Sequence, residues 1–118
     1  MTHLAQLIAK EEGFGIPGTI PAIRHNPGDL RHSPHSQHPG GPDDIGTIDT
    51  AADGWADLER QLRLYAHRGM TLRQAIYEFA PPNENDSARY LRNVLEGFGG
   101  AVTADTLMSV VLEIKGQL

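Results

Sequence analysis

The chain has 118 residues, 39% of them hydrophobic and 21% charged, and a formal net charge of −5. That length predicts one domain with its own core, the acidic balance argues against nucleic acid as the main partner, and no apolar run approaches the ~18 residues of a membrane span. With no cysteine there is no disulfide framework or thiol chemistry, and the opening MTHLAQLIAKEE lacks the basic and apolar regions of a secretory signal.

In chain order, Thr2 is placed to cap a short helix whose Leu4, Leu7 and Ile8 fall at i, i+3 and i+4. Gly13 and Gly15 stop it. From Gly13 to Asp49 the pattern changes, with seven of the 13 glycines and six of the eight prolines in that stretch. A continuous helix is excluded there. A long loop with short strands is expected instead, and DIGTIDT, read from Asp44 to Thr50, is the best strand candidate. A connection of this length in a compact domain is usually functional or disordered.

Helices are expected from there on. Asp49 or Thr50 opens a segment with Trp55, Leu58, Leu62 and Tyr65 on one face, ended by Gly69. Thr71 caps a second with Leu72, Ala75, Ile76 and Phe79 inward, stopped by Pro81 and Pro82. Asn85 or Asp86 opens a third with Tyr90 or Leu91, Val94, Leu95 and Phe98 inward. Thr103 begins a last helix through Leu107, Val110, Val111 and Ile114. The expected fold class is α+β and mostly α, a single domain over 1–118 with an irregular, partly β segment at about 13–49 and a helical lobe at about 50–118.

Glu11 and Glu12 stand at the end of the first helical pattern. Counting 100° per residue from Leu4, Ile8 falls at roughly +40°, Glu11 at roughly −20° and Glu12 at roughly +80°. Both carboxyls therefore belong near the apolar stripe. A carboxyl half-buried among apolar groups has its pKa raised by desolvation, which suits a general acid. The alternative is a solvated helix terminus, at a small cost because the macrodipole disfavours acids there.

HNPGDL, residues 25–30, reads as an Asn-Pro-Gly turn in which Asn26 is extended before proline and Gly28 allows positive φ. The same turn offers Asn26 or a backbone amide to a ligand. Asp29 is a candidate second carboxylate, 17 residues beyond Glu12, with Asp43, Asp44 and Asp49 as poorer ones. In APPNENDSARY one cap accounts for Asn85 or Asp86, and the cluster Asn83–Asp86 exceeds what a cap needs. His32, His35 and His38 recur every third residue with His25 nearby, but no HExxH or cysteine pair accompanies them. A solvated loop or a glycan-contact surface is the better expectation, and no metal site is assigned. Trp55 lies on an apolar stripe and reads as core before it reads as a stacking platform.

Taken together, IAKEEGFGIPG, HNPGDLR, DGWADLERQLRLY and YEFAPPNENDSARYL resemble the small phage and prophage proteins of the lysozyme and lytic-transglycosylase superfamily, over about residues 4–98. NPGDL and APPNEND are the most specific pieces. The resemblance implies a lysozyme-like fold and cleavage of peptidoglycan glycan strands at the β-1,4 bond between N-acetylmuramic acid and N-acetylglucosamine. It makes Glu12 the catalytic residue and Glu11 its solvated neighbour. It lines the cleft with Glu84, Asn85 and Tyr90 and brings Tyr77 to the catalytic carboxyl; Asn26 and Asp29 join them as expected substrate contacts from the turn itself, although related sequences often carry asparagine in place of Asp29. Tyr90 retains a reading as core. No cofactor, nucleic acid or membrane is implied. Lytic transglycosylation with one glutamate leads hydrolysis, since the substrate's C6 hydroxyl is then the nucleophile. A non-catalytic glycan-binding or virion component is the alternative. Without a secretory signal, access to the wall is expected at lysis, by virion delivery or by export.

Overall fold

The computed structural model describes residues 1–37 and 45–116. The protein is mostly α. Among the described residues the helices are α1 (His3–Glu11), α2 (Ile20–Ile23), α3 (Ala51–His67), α4 (Leu72–Phe79), α5 (Ser87–Phe98) and α6 (Met108–Val111). No helix among them is long and apolar enough to cross a membrane. β pairing among the described residues is confined to the isolated bridges Thr2–Lys115, Gln37–Thr47 and Thr71–Leu107. The strand expected over 44–50 therefore reduces, in its described part, to Thr47 facing Gln37. Asp43, Asp44 and His38 lie outside the described residues.

The chain forms two compact units, one of Met1–Leu7 with Gln61–Leu118 and one of Ile8–Arg60. In the first, the start of α1 is capped by Thr2, whose hydroxyl accepts from the Ala5 N–H at 3.2 Å. The Leu7 side chain lies against Gly97 of α5, where an added Cβ would come within 2.4 Å of Leu7 Cδ2. His3 bonds the Gly97 carbonyl at 2.9 Å and sets its ring edge-on to Phe98. α4 opens with a full capping box between Thr71 and Gln74. α5 opens with Asp86, which accepts from the Arg89 N–H, and closes on Gly99 in the left-handed region. Leu72, Ala75, Ile76, Leu91, Val94 and Phe98 are buried between these helices, and Phe79 and Leu95 are half-buried.

The last expected helix is shorter than the pattern predicts. Residues 103–106 form a threonine-locked turn instead, in which Thr106 Oγ1 accepts from the Thr103 N–H and Thr103 Oγ1 from the Asp105 N–H. The adjoining backbone pairs outward: Leu72 donates to Thr106, Arg73 to Ala104 and Met108 to Met70. Groups engaged in those bonds are lost to a helix ladder, so only four residues wind into α6. Leu107 and Val110 are exposed, and Met108 and Val111 take the buried places.

In the second unit, Ile8–Arg60, the Gly- and Pro-rich stretch contains a helix that the pattern did not announce. Thr19 caps α2 by accepting from the Ala22 N–H, with Pro21 in its first turn. The strip Ile45–Ile48 is anchored to the turn before it. Arg24 donates to the Ile45 carbonyl, Gly46 donates to Leu30, and Ile48 donates to Arg24. Thr50 opens α3, its hydroxyl accepting from the Asp53 N–H. Gly54 of α3 sits where any Cβ would lie 2.0 Å from the His25 carbonyl oxygen, so the helix and the 25–27 turn meet backbone to side.

Candidate active site

Glu12 occupies the cap of a Schellman motif. The Gly13 N–H donates to Lys10 and the Phe14 N–H reaches back to Ala9 at 3.0 Å, while Gly13 adopts φ +78°. Every residue of EGF thus has a place in the stop: Glu at the cap, Gly in the left-handed position, Phe beyond it. The Gly13 carbonyl is then held by the Thr19 hydroxyl at 2.8 Å and the Ile16 N–H at 3.0 Å. Phe14 packs edge-on against Trp55 of α3, ring centroids 5.4 Å apart at 77°. Leu4 and Ile8 of α1 are fully buried, Glu12 is half-buried and Glu11 is exposed. The expectation that both carboxyls lie near the apolar stripe holds for Glu12 alone. Trp55 is half-buried, neither fully core nor fully open.

The HNPGDL turn is built on Asn26. Its amide donates to the Leu30 carbonyl at 2.8 Å and the Gly46 carbonyl at 2.9 Å, and its oxygen accepts from the Leu30 N–H at 2.9 Å. The residue is wholly buried. Its side chain is engaged by backbone on both sides and is not available to a ligand, so the substrate contact expected of Asn26 gives way to a scaffold role. Gly28 does not carry the positive φ expected of it. The left-handed residues of this turn are His25 (φ 51°) and Asp29 (φ 52°), and at Gly28 an added Cβ would press on the Leu58 side chain, 2.8 Å from its Cδ1. Asp29 is half-buried. Asp and Asn are the residues that best tolerate that backbone, which gives Asp29 a reason independent of chemistry.

The remaining expected residues belong to the unit of Met1–Leu7 with Gln61–Leu118. Tyr77 is exposed and borders an open groove with Arg68, Gly69, Met70, Gln74 and Glu78. Arg68 forms a two-pronged ion pair with Glu78 there, at 2.9 and 3.3 Å. Beside it Tyr65 is buried, and burial with the Glu78 charge pushes its hydroxyl up to about 12. Glu84 and Asn85 are exposed on the turn after Pro81, where both their N–H groups donate to the Pro81 carbonyl. Tyr90 is buried, 6.5 Å from the Phe79 ring in an edge contact. It belongs to the core between α4 and α5, not to a lining, because the inward face of α5 continues through Val94 and Phe98. Glu12, Asn26 and Asp29 thus share one unit, and Tyr77, Glu84, Asn85 and Tyr90 the other.

One charged residue was missed. Asp57 on α3 is 2% exposed, and its carboxylate accepts from the His35 N–H at 2.9 Å and from the His35 ring Nδ1 at 2.6 Å. Burial pushes that carboxyl up, but the nearby Ser33 hydroxyl and the two hydrogen bonds from His35 outweigh it and hold Asp57 below its ordinary value. The bond to Asp57 holds the His35 imidazole above its ordinary 6.5 against desolvation, aided by the charges of Asp57 and of Asp53, 3.9 Å from Nε2. The signal lay in Asp53 and Asp57, four apart on one helix face beside a histidine-bearing loop. His25 is engaged too, its Nδ1 bonded to the Ile48 carbonyl at 3.0 Å. Among the described residues no three His, Asp or Glu side chains gather as a metal site. No family model, curated protein or solved structure matches the chain.

Proposed function

We propose that this protein cleaves the β-1,4 bond between N-acetylmuramic acid and N-acetylglucosamine in peptidoglycan, with Glu12 as the acid and then the base. The fold assigned by this reading is lysozyme-like. One observation carries it. Glu12 is a half-buried carboxyl on the negative end of α1, where the helix dipole and partial desolvation both disfavour charge. The Schellman stop explains Gly13 and Phe14, but any residue serves at the cap, and an acid serves it badly. A carboxyl partly withdrawn from water at the end of a helix suits donation to a glycosidic oxygen.

The attacking group in this reading is the C6 hydroxyl of the muramic acid itself, which leaves a 1,6-anhydro end. An intramolecular hydroxyl has a large effective concentration, and the backbone reason for Asp29 lessens the need to read it as a nucleophile. The test is purified protein on peptidoglycan sacculi, with mass spectrometry of the released fragments. Glu12→Gln is expected to lower cleavage by ~10²–10⁴-fold, the usual worth of general acid–base catalysis, while Glu11→Gln changes it little. Equal sensitivity of the two glutamates would sink the assignment. Binding to sacculi without cleavage by the wild type would favour a non-catalytic glycan-binding role.

A further inference from the structure

We propose that Trp55 is a positioning residue for the Glu12 carboxyl, acting through Phe14. This rests on the reading of Glu12 as the acid.

The residues on either side of Glu12 are fixed unequally. On the helix side, the Glu12 N–H donates to Ile8 at 2.9 Å as the last step of the ladder. On the other side, the Gly13 and Phe14 N–H groups and the Gly13 carbonyl are held by bonds to residues 9–19, all of them local. Bonds of that kind set the shape of the cap turn, and helix ends fray when nothing distant secures them. The edge contact of Phe14 on Trp55 spans 41 residues of sequence and ties the turn to α3. Edge-to-face pairs of this geometry are favourable beyond the area they cover. Gly13 has no side chain, so Phe14 is the nearest side chain after Glu12 through which such a tie can act.

A general acid must be held to within about 0.5 Å of its productive position. Misplacement by about 1 Å costs on the order of 10²-fold in rate. Loosening Phe14 lets the cap turn, and the carboxyl with it, sample positions outside that tolerance. The substrate need not bind differently, so the loss falls on kcat.

The experiment compares Trp55→Ala, Trp55→Phe and Phe14→Leu with the wild type on peptidoglycan, each first checked for native circular dichroism. The expected result for Trp55→Ala and Phe14→Leu is a fall in kcat of about 10- to 100-fold, the scale set by misplacement, with KM within about threefold. Trp55→Phe keeps an aromatic edge and restores most of kcat. A readout free of activity runs beside it. The side-chain carboxyl carbon resonances of ¹³C-labelled glutamates, with Glu12 assigned through Glu12→Gln, are expected to move at Glu12 in Trp55→Ala and Phe14→Leu and to stay put at Glu11.

If Glu12→Gln abolishes cleavage while folded Trp55→Ala and Phe14→Leu keep the wild-type kcat and an unmoved Glu12 resonance, the positioning role is overturned and the acid assignment stands. If Glu12→Gln leaves cleavage intact, the acid assignment falls, and the role proposed for Trp55 falls with it. Should Trp55→Ala fail to fold, Phe14→Leu and Trp55→Phe decide alone: unchanged kcat in Phe14→Leu overturns the proposal.

Discussion

Gly54→Ala sets two effects of opposite sign against each other. In an exposed helix the change favours the fold by about 0.5–1 kcal/mol, since glycine loses more backbone freedom than alanine. Here the new methyl would lie 2.0 Å from the His25 carbonyl oxygen and 2.8 Å from Pro27 Cδ. That oxygen is backbone and cannot rotate aside. His25 already holds φ 51°, its ring is bonded to Ile48, and Asn26 after it is buried with three hydrogen bonds. Withdrawal of the turn by more than an ångström gives up one or two of those bonds, at about 1 kcal/mol each, on top of the usual overpacking cost of about 1–3 kcal/mol. The clash wins, and the net expectation is a loss of about 2–4 kcal/mol. With 118 residues and an unfolding entropy of about 2.1 cal/mol/K per residue, that lowers Tm by about 8–16 °C. The assay is reversible thermal unfolding by circular dichroism. Gly15→Ala is the control, since a Cβ there meets nothing within 4 Å, and it should be neutral or slightly stabilising. A Gly54→Ala protein as stable as the wild type would refute the reasoning, because helix propensity alone would then have decided.

The His35–Asp57 pair should make stability depend on pH in two steps. Asp57 is lowered in the fold, so its contribution is present above its ordinary 3.8 and is lost as pH falls through its folded value; His35 is raised, so its contribution is complete below 6.5 and is lost as pH rises through its folded value. The Tm difference between the wild type and His35→Gln should therefore be largest between these limits, and a difference that stays flat across pH 4–8 would contradict the pairing. Asp29→Asn should leave folding intact, since asparagine tolerates the left-handed backbone equally well. It should also keep much of the cleavage, with 1,6-anhydro products; reducing ends from the wild type would sink the one-acid route.

Much of the helical frame is legible because its signals are local. Thr2, Thr71 and Asp86 cap α1, α4 and α5, and Gly13, Gly69 and Gly99 mark the exits of α1, α3 and α5 in left-handed backbone. α2 was also written locally, as Thr19 two residues before Pro21, but the surrounding glycines and prolines masked a single turn of helix. The end of the chain fails for a different reason. Its periodicity fits a helix, yet the backbone of 104–108 pairs with 70–73, a choice set more than 30 residues away. The site divides along the same line. Glu12 is reached from a helix face and its stop signal, whereas the burial of Asn26 depends on Gly46 and that of Asp57 on His35, partners that no periodicity reveals.

Most of the motif residues have a structural reason for being what they are. Asn26 is explained by three backbone bonds, Gly28 by Leu58, Asp29 by its φ, Asp86 by the Arg89 N–H and Tyr90 by the core between α4 and α5. Each would be selected in a protein with no ligand at all. Glu12 is different. Lys10 in the last turn of α1 complements the negative end of the dipole, and a second cation or a neutral amide at position 12 would stabilise the same stop. A carboxylate there is disfavoured by about 0.3–1 kcal/mol at an exposed site, and by more when partly buried. Glu12, half-buried at a cap that does not require an acid and one residue from the Phe14–Trp55 pair, is therefore the position at which the proposed chemistry is to be tested.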